Sequence, residues 1–395
     1  MAAVLEGIRV LDFGRYIAGP FCAALLADFG AEVIRIEKLD GSEDRWTSPV
    51  GQDGTGAGYM QMNRNKLGIT LDPMTQKGRE IVRKLAQTAD VVVANLPLVQ
   101  LKQMGLDYDS LAAVNPRIIV FMNSTFGSTG PYAERVGFDT VGQAMSGAMY
   151  MTGDGKVPMR AAVPVVDFGS ASLGALGVLA ALYEREKSGK GQLVETALLH
   201  TALNFADTIL IEQDLIKVDR KAIGNRGWGA GPWDCFKTKD GWLYLLAIGG
   251  PLFRRWARLM GEEEKWTSDP RFATDQLRGD NGEVLSERMQ RWCGERSTEQ
   301  ALAELDKARL PAGPVYSPQQ ALEDPHVRAA DFVQDVDYPG LPKPAPVVTP
   351  PVKLSRTPGR IARRPPTLGE HTDQILGALG YSAAEIAELR REKVV

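Results

Sequence analysis

Short apolar runs alternate with amphipathic segments over the first third of the chain. Five runs predict buried β-strands, at residues 8–13, 32–37, 66–72, 90–95 and 117–124. Three segments with apolar residues every three to four positions predict helices, over about 75–87, 98–104 and 108–114. Strands that alternate with helices through short connections are typical of a parallel sheet covered by helices on both faces.

A second pattern begins at residues 163–166, an apolar run that leads into Asp167. Leucines at roughly helical spacing follow as far as Gly189, a natural helix end, and predict one long helix. A further apolar helix is predicted over about 193–213. Small residues inside the long helix would let another backbone approach closely: Gly169, Gly174 and Gly177.

The composition changes near residues 220–240, where glycines lie among tryptophans. Residues 234–325 carry a strand pair and then helices rich in Arg, Glu and Trp, which is typical of a smaller α+β domain. Residues 338–366 are rich in proline and predict an extended connection. The pattern therefore indicates a large α/β domain and a small α+β domain.

The composition of the 395 residues is that of a globular protein, with 44% hydrophobic and 24% charged residues and a net charge of −3. This balance excludes global disorder and gives no basic excess for nucleic acid or anionic lipid. Three cysteines and three histidines are too scattered for a disulfide framework or a His-rich metal site. With no signal-peptide pattern and no long charge-free apolar run, we expect a cytoplasmic protein without a membrane partner.

The familiar catalytic and nucleotide-binding motifs are missing. The sequence has no GxxxxGK[ST], GxSxG or HExxH, and two glycine-rich stretches each miss the last glycine of a dinucleotide turn. Carboxylates, backbone amides and glycine loops must therefore carry the chemistry of any enzyme. Ligands of parallel sheets bind beyond the carboxyl ends of the strands. Residues at these ends are either site residues or turn caps: Arg15–Tyr16, Lys38, Asn95 and Ser124.

Asp167 is the strongest single candidate, because it interrupts an apolar run where a long helix begins. One interpretation is an N-cap, whose carboxylate accepts hydrogen bonds from first-turn amides and stabilises the helix by about 1 kcal/mol. The other is a nucleophile, kept ionised near neutral pH by the helix N-terminus and able to attack an activated acyl carbon. Both roles can hold at once.

Six segments in the same order carry a resemblance to a known family: LEGIRVLDFGRYIAGPFCAALLADFGAEVIRIEK, NRNKLGITLD, DVVVANLPLVQLKQMG, GFDTVGQAMSGAMYMTG, VDFGSASLGALGVLAALYEREKSGKGQ and LGEHTDQILGALGY. The chain resembles the family III CoA-transferases. That group includes formyl-CoA:oxalate and carnitine CoA-transferases, with α-methylacyl-CoA racemase as a relative.

The resemblance implies an open Rossmann-like large domain with a parallel sheet, plus a smaller α+β domain. The large CoA-binding domain is expected to comprise residues 1–220 with 335–395, and the small domain 225–330. Two chains are expected to interlock as a homodimer, so an isolated monomer is not expected to be a stable unit. The implied small-molecule partners are an acyl-CoA and a carboxylic acid, with no nucleic acid.

The resemblance also implies a mechanism, in which Asp167 is the catalytic residue. CoA passes from an acyl-CoA donor to an acid acceptor through an aspartyl mixed anhydride and an aspartyl-CoA thioester. Coenzyme A enters as a thioester substrate, and neither a permanently bound cofactor nor a metal is expected. Backbone amides around Gly169 are expected to stabilise oxyanions, and the loop Gly227–Gly231 resembles a mobile glycine-rich loop that shields the anhydride.

Nine residues correspond to CoA contacts in the family: Tyr16, Ala18, Lys38, Leu71, Asp72, Asn95, Leu96, Gln103 and Met104. Lys38 stands where formyl-CoA transferase has an arginine, which keeps the charge but loses the planar fork for phosphate. Gln103 replaces a phosphate-binding arginine and leaves Arg135 or Lys102 as substitutes. Each position is alternatively a simple turn residue.

Two other functions stay open at this point. The racemase branch needs two bases, and Phe138 stands where that branch has a histidine, which argues for transfer. Asp139 beside it is expected to be structural or to lie near the CoA thiol. A catalytically silent CoA-binding protein is the other alternative, and the presence of Asp167 argues against it. Residues near Ile17, Phe138, Met145 and Met149 and the 227–233 loop are expected to line an acyl pocket. Their apolar, aromatic character favours a medium or aromatic acyl group.

Overall fold

A computed structural model describes residues 3–395 of the chain. These residues form two compact units. The first unit comprises residues 3–148, 160–215 and 325–395, and the second comprises residues 149–159 and 216–324.

A six-stranded parallel sheet forms the centre of the first unit. Its strands are β1 (Arg9–Asp12), β2 (Glu32–Glu37), β3 (Lys66–Thr70), β4 (Val91–Ala94), β5 (Ile119–Ser124) and β6 (Leu193–Ala197). They lie in the order β3-β2-β1-β4-β5-β6, and every pairing is parallel. This is the strand order of a doubly wound dinucleotide-binding sheet, so the predicted α/β class with a parallel sheet is confirmed.

The helices up to residue 216 are α1 (Ala18–Asp28), α2 (Ala57–Met62), α3 (Gln76–Gln87), α4 (Leu98–Met104), α5 (Tyr108–Ala112), α6 (Asp139–Met145), α7 (Val165–Ser188), α8 (Leu198–Phe205) and α9 (Ile209–Ile216). Of these, α1 and α7 pack on one face of the sheet, and α3, α4 and α5 pack on the other. Neighbouring strand residues point to opposite faces, so Leu11 packs in the core beneath α3 while Val10 packs beneath α1 and α7. The apolar strands therefore serve two cores, which explains their unbroken hydrophobic runs.

The second unit has its own core, centred on Trp256. Its antiparallel sheet consists of β7 (Trp233–Lys237), β8 (Trp242–Leu246) and β9 (Ala312–Pro314). Its helices are α10 (Gly250–Leu259), α11 (Glu263–Ser268), α12 (Asp275–Asp280), α13 (Gly282–Gly294), α14 (Thr298–Lys307) and α15 (Pro318–Glu323).

The C-terminal segment returns to the first unit. It contains α16 (Pro325–Ala329), the antiparallel pair β10 (Val333–Val336) and β11 (Ala345–Val348), α17 (Thr372–Ala378) and α18 (Ala383–Arg391). Residues 363–372 run along the outer edge of β3. His371 donates its amide to Gly68 O at 2.8 Å and accepts the Gly68 amide on Nδ1 at 3.1 Å. The edge strand is thereby paired by tail residues.

Two predictions about elements are wrong. The segment 193–213 is not one helix, because its first five residues form β6 and two separate helices follow. The sequence LVETA alternates apolar and polar positions, and β6 pairs with β5 over these residues. The long helix also begins earlier than expected, at Val165, so Asp167 lies inside its first turn.

Among the described residues, α7 is also the one helix long and apolar enough to cross a membrane. Half of its most apolar stretch is buried, and the helix packs against α1, β5 and β6. The core helix of a folded domain passes the same test of length and composition, so α7 is weak evidence for a membrane span.

Candidate active site

Asp167 lies in the first turn of α7, and another residue caps this helix. The carboxylate of Asp139 accepts the Val166 amide at 2.7 Å and the Asp167 amide at 3.0 Å. Asp139 therefore satisfies two of the free amides at the helix start. The N-cap interpretation of Asp167 is wrong, since Pro164 occupies the cap position and the capping carboxylate comes from α6. The structural role expected for Asp139 is confirmed.

The Asp167 carboxyl group is less acidic than the sequence led us to expect. Burial, and next the charge of Asp139, raise its pKa from 3.8 to about 7. A pKa of about 7 leaves this group only partly ionised at neutral pH, whereas the helix N-terminus was expected to keep it deprotonated. Burial is the main cause, and Asp139, which occupies the first-turn amides, adds a like charge beside the carboxylate.

Asp139 is itself held in place by a second side chain from α6. Gln143 donates its amide nitrogen to Asp139, and its Oε1 accepts the backbone amide of Ala161 at 2.8 Å. Asp139 and Gln143 are both buried. The segment that leads into α7 is thus fixed to α6 at two points, which sets the position of Asp167.

Close packing fixes the rest of α7 against its neighbours. Phe168, next to Asp167, meets Phe21 of α1 edge to face with ring centroids 4.9 Å apart. A β-carbon on Gly169 or Gly174 would lie 2.3 Å from Phe205 or 2.2 Å from Phe121. The close approach predicted from these glycines is confirmed.

The amides that follow Asp167 are partly engaged. The Phe168 amide donates to the Pro164 carbonyl at 3.2 Å, while the preceding two amides donate to Asp139. An oxyanion role for the amide of Gly169 stays a prediction.

The carboxyl end of β1 approaches this site through two aromatic rings. Tyr16 follows β1 and meets Phe138 edge to face, with ring centroids 5.6 Å apart. Phe138 directly precedes Asp139, so the chain of contacts runs from the end of β1 to Asp167. Both rings keep a large exposed fraction, 41% for Tyr16 and 61% for Phe138. They form an accessible pair of rings next to Asp139, the residue that caps α7.

Asn95 holds the turn that carries Tyr16. Its Oδ1 accepts the Arg15 amide at 2.6 Å, and its Nδ2 donates to the Arg15 carbonyl at 2.8 Å. Asn95 directly follows β4, which pairs with β1, so the two strand ends are joined by its side chain. The structure thereby brings Asn95 to the turn that carries Tyr16, and Tyr16 in turn meets Phe138, the neighbour of the capping Asp139.

Other predicted CoA residues are buried or partly buried in the first unit. Ala18 and Leu71 are 1% exposed, while Leu96 and Met104 pack against the core beneath α3. Asp72 accepts the Met74 amide at 2.9 Å and so closes a turn. A ligand contact at the two buried residues would have to use backbone atoms.

The basic candidates are more accessible. Lys38 is exposed and pairs with Glu43. Gln103 and Lys102 are exposed on α4, and the Arg135 guanidinium lies 4.0 Å from the ring centroid of Tyr132. The structure does not single out one of them as the substitute for the missing phosphate-binding arginine.

A buried charge cluster lies beneath the turn, and the sequence analysis missed it. Lys66 donates to Asp12 at 2.7 Å, while Arg35 pairs with Asp12 at 3.5 Å and with Asp44 at 2.7 Å. Arg35 also donates to the Gly14 carbonyl. A signal was present, because Asp12, Arg35 and Lys66 interrupt otherwise apolar strand runs. Buried charges of this kind need partners, and a pattern search of one strand at a time does not supply them.

The glycine-rich loop lies in the second unit. The Gly227 amide donates to the Trp233 carbonyl at 3.0 Å, and a β-carbon on Gly227 would lie 2.1 Å from the Trp233 ring. Its predicted shielding role stays a prediction, as does the place of Met149 in an acyl pocket. Among residues 3–395, no group of three or more His, Cys, Asp or Glu side chains is placed to hold a metal ion.

Comparison with known proteins gives consistent results over nearly the whole chain. The model of CoA-transferase family III matches residues 5–372. A succinyl-CoA–D-citramalate CoA-transferase of Chloroflexus aurantiacus is 35% identical, over 99% of this chain and 98% of that protein. A formyl-CoA:oxalate CoA-transferase of Rhodopseudomonas palustris is 33% identical, over 98% and 96% respectively.

A solved structure gives the same result for the fold. A CaiB/BaiF family protein from Brucella suis superposes with a TM-score of 0.83 at 32% identity, covering 96% of this chain and 100% of that one. The resemblance found in the sequence is confirmed: the chain belongs to CoA-transferase family III and is an enzyme of that family.

Proposed function

We propose that this enzyme moves CoA from an acyl-CoA donor to a carboxylic acid through covalent intermediates on Asp167. One observation carries the proposal. Within residues 3–395, the Asp167 carboxylate has no cation and no hydrogen-bond donor beside it, although its backbone is held firmly by Asp139. An unpaired carboxylate is available to attack an acyl carbon.

The first half of the reaction loads Asp167. A carboxylate oxygen of Asp167 attacks the thioester carbonyl carbon, the carbon–sulfur bond breaks, and CoA leaves as a thiolate. The product on the enzyme is a mixed anhydride. The thiolate then attacks the Asp167 carbonyl carbon and releases the donor acid as a carboxylate, which leaves an aspartyl-CoA thioester.

The second half reverses these steps with a new acid. The acceptor carboxylate attacks the aspartyl-CoA carbonyl and expels the thiolate, forming a second mixed anhydride. The thiolate attacks the acceptor carbonyl, giving the new acyl-CoA and the free Asp167 carboxylate. No atom is lost and no oxidant or reductant is consumed. Each step exchanges one activated acyl group for another.

The raised pKa of Asp167 fits this role. A carboxylate that accepts no hydrogen bonds is a stronger nucleophile than one held by several donors, since its charge is less dispersed. With a pKa of about 7, a large fraction is ionised at neutral pH.

The acyl group in this proposal is of medium length or aromatic. The names of the relatives include small polar acids, oxalate and citramalate among them. In this chain the Tyr16–Phe138 ring pair offers an apolar wall beside Asp139. Phe138 has no titratable group, which favours transfer over a proton exchange that needs a second base at this position.

We also propose that two chains form the interlocked homodimer. Large apolar side chains of the first unit stay exposed on its helices: Leu176 and Tyr183 on α7, Phe205 on α8, and Ile211 and Leu215 on α9. None of the residues of α9 is buried. Large exposed apolar side chains on neighbouring helices are typical of a subunit interface.

The decisive test compares Asp167→Asn with Asp109→Asn, an exposed first-turn aspartate of α5. Each purified protein is incubated with a panel of acyl-CoAs and acids. Peptide mass spectrometry then looks for an adduct on residue 167 that hydroxylamine converts to the hydroxamate. We expect the adduct and transfer in the parent and in Asp109→Asn, and a loss of transfer of at least about 10³-fold in Asp167→Asn. Transfer at the parental rate by Asp167→Asn would overturn the proposal.

A further inference from the structure

We propose that Asn95 is a positioning residue: its side chain fixes the backbone of Arg15 so that Tyr16 is presented to bound CoA, and it does not bind CoA itself. The inference deepens the proposed function and rests on it for the identity of the ligand. It concerns the turn of residues 13–17 between β1 and α1. The resemblance places Tyr16 and Asn95 alike among the CoA contacts, whereas the geometry gives them different tasks.

Both polar atoms of the Asn95 side chain bond to the backbone of Arg15. Its oxygen accepts from the Arg15 amide and its nitrogen donates to the Arg15 carbonyl, at 2.6 and 2.8 Å. This pair of bonds reproduces the pattern by which two strands pair. The side chain also packs closely, since a β-carbon on Gly19 would lie 3.0 Å from its Oδ1. The two bonds and this close packing hold the side chain against the turn.

Tyr16 needs such a clamp, because its backbone adopts a left-handed conformation with φ of 61°. A non-glycine residue in this region is strained by about 1–2 kcal/mol, and tyrosine has no short side chain to relieve the strain. Conformations of this kind persist where the surroundings impose them and are concentrated at ligand sites. Here the clamp acts on the residue directly before the strained one.

The other side of the turn is fixed as well. Asp12 accepts the Gly14 amide at 2.8 Å, and Arg35 donates to the Gly14 carbonyl. The Arg15 side chain donates back to the Phe13 and Gly14 carbonyls at 3.0 and 2.7 Å. The buried charge cluster therefore holds the backbone of Gly14 by hydrogen bonds, and Asn95 holds the backbone of the next residue, Arg15. The exposed Tyr16 ring, set against Phe138, is the part of this assembly that a ligand can reach.

A double-mutant cycle tests whether Asn95 acts through Tyr16. The variants are Asn95→Ala, Tyr16→Gly and the double variant, and the readout is the Kd of CoA itself, measured by titration calorimetry. We expect each single change to weaken CoA binding about tenfold, and the double variant to bind no more weakly than Tyr16→Gly. Glycine adopts the left-handed conformation without strain, so in Tyr16→Gly the hydrogen bonds of Asn95 are no longer needed to impose it.

Asn115→Ala is the matched control. Asn115 also uses its side-chain amide on the backbone of the same unit, donating to the Ala86 and Ala89 carbonyls at 2.9 and 2.8 Å. We expect a comparable loss of thermal stability from this change without any loss of CoA affinity. If Asn95→Ala does not fold, Asn95→Asp, which keeps the shape and the acceptor but removes the donor, takes its place in the cycle.

Additive losses in the double variant would overturn the inference, because they would mean that Asn95 touches CoA directly. An unchanged Kd in Asn95→Ala would overturn it as well. Neither outcome depends on chemistry at Asp167, since free CoA binding forms no covalent adduct. A parent protein that binds CoA but never acylates Asp167 would contradict the proposed mechanism and leave this cycle fully interpretable.

Discussion

Two carboxylates of the first unit are withdrawn from water, and they show opposite acid–base behaviour. Asp12 lies beneath the sheet's carboxyl end and Asp167 in the first turn of α7. Burial opposes ionisation of Asp12, but the charges of Lys66 and Arg35 and their hydrogen bonds outweigh it and lower its pKa. Asp167 has no such partner, and burial together with Asp139 raises its pKa to about 7.

The two pKa values differ because of the charged neighbours of each carboxylate and not because of how deeply each is buried. A carboxylate whose charge is matched by cations stabilises the fold and is a weak nucleophile, because its lone pairs are occupied. A carboxylate whose neighbours hold only its backbone keeps its oxygens free at a cost in stability. The comparison distinguishes a charge-matched aspartate from an unmatched one within a single domain.

Removal of the charge on Asp12 should give the largest effect on stability. Asp12→Asn leaves Lys66 and Arg35 without their shared buried partner, and we expect a loss of about 3–5 kcal/mol in the free energy of unfolding. Chemical denaturation at one fixed protein concentration measures it. A loss below 1 kcal/mol would show that Asp44 and the carbonyls around Lys66 compensate, and the contrast between the two aspartates would fail.

The same change at Asp167 should act in the opposite direction. Its folded pKa exceeds the unfolded value of 3.8, so the folded state holds more protons between these values and stability falls as pH rises through that window. Asp167→Asn removes this cost. We expect the variant to gain about 2 kcal/mol more over the parent at pH 8 than at pH 5, measured by denaturation at both pH values. A gain that does not vary with pH would contradict the raised pKa.

A smaller effect should separate the charge of Asp139 from its capping role. Asp139→Asn keeps an oxygen for the Val166 and Asp167 amides but removes the neighbouring negative charge. The nucleophile must be ionised, so kcat/KM for the acyl-CoA should fall below about pH 7 in the parent. In the variant this acid limb should move to lower pH by about one unit. An unmoved limb with a uniformly lower rate would mean that Asp139 only caps the helix.

Much of the first unit could be predicted from the sequence. β2 lies at the predicted residues 32–37 and α4 at the predicted 98–104, because each is a local pattern bounded by a turn residue such as Gly105. The prediction was wrong at β6, where LVETA follows a long apolar helix and leads into another. Its strand form depends on pairing with β5, and that contact is not encoded locally.

The site was harder to predict because its residues act in pairs that are distant in sequence. Asp167 stood out by itself, and its position in the first turn follows from the helix pattern. The raised pKa of Asp167 could not be predicted from the helix pattern, because it depends on burial and on Asp139, which lies 28 residues away and accepts the first-turn amides. The link from Asn95 to Arg15 spans 80 residues and is visible only once β1 and β4 are neighbours.

The covered edge of β3 has a consequence for protein synthesis. Gly68 emerges from the ribosome 303 residues before His371, the residue that pairs with it. During that interval the strand presents unpaired amides and carbonyls to other nascent chains. At a translation rate of about 5–20 residues per second the exposure lasts roughly 15–60 s. Chaperone demand for this enzyme should therefore be set by elongation speed over the 303 residues that separate Gly68 from His371.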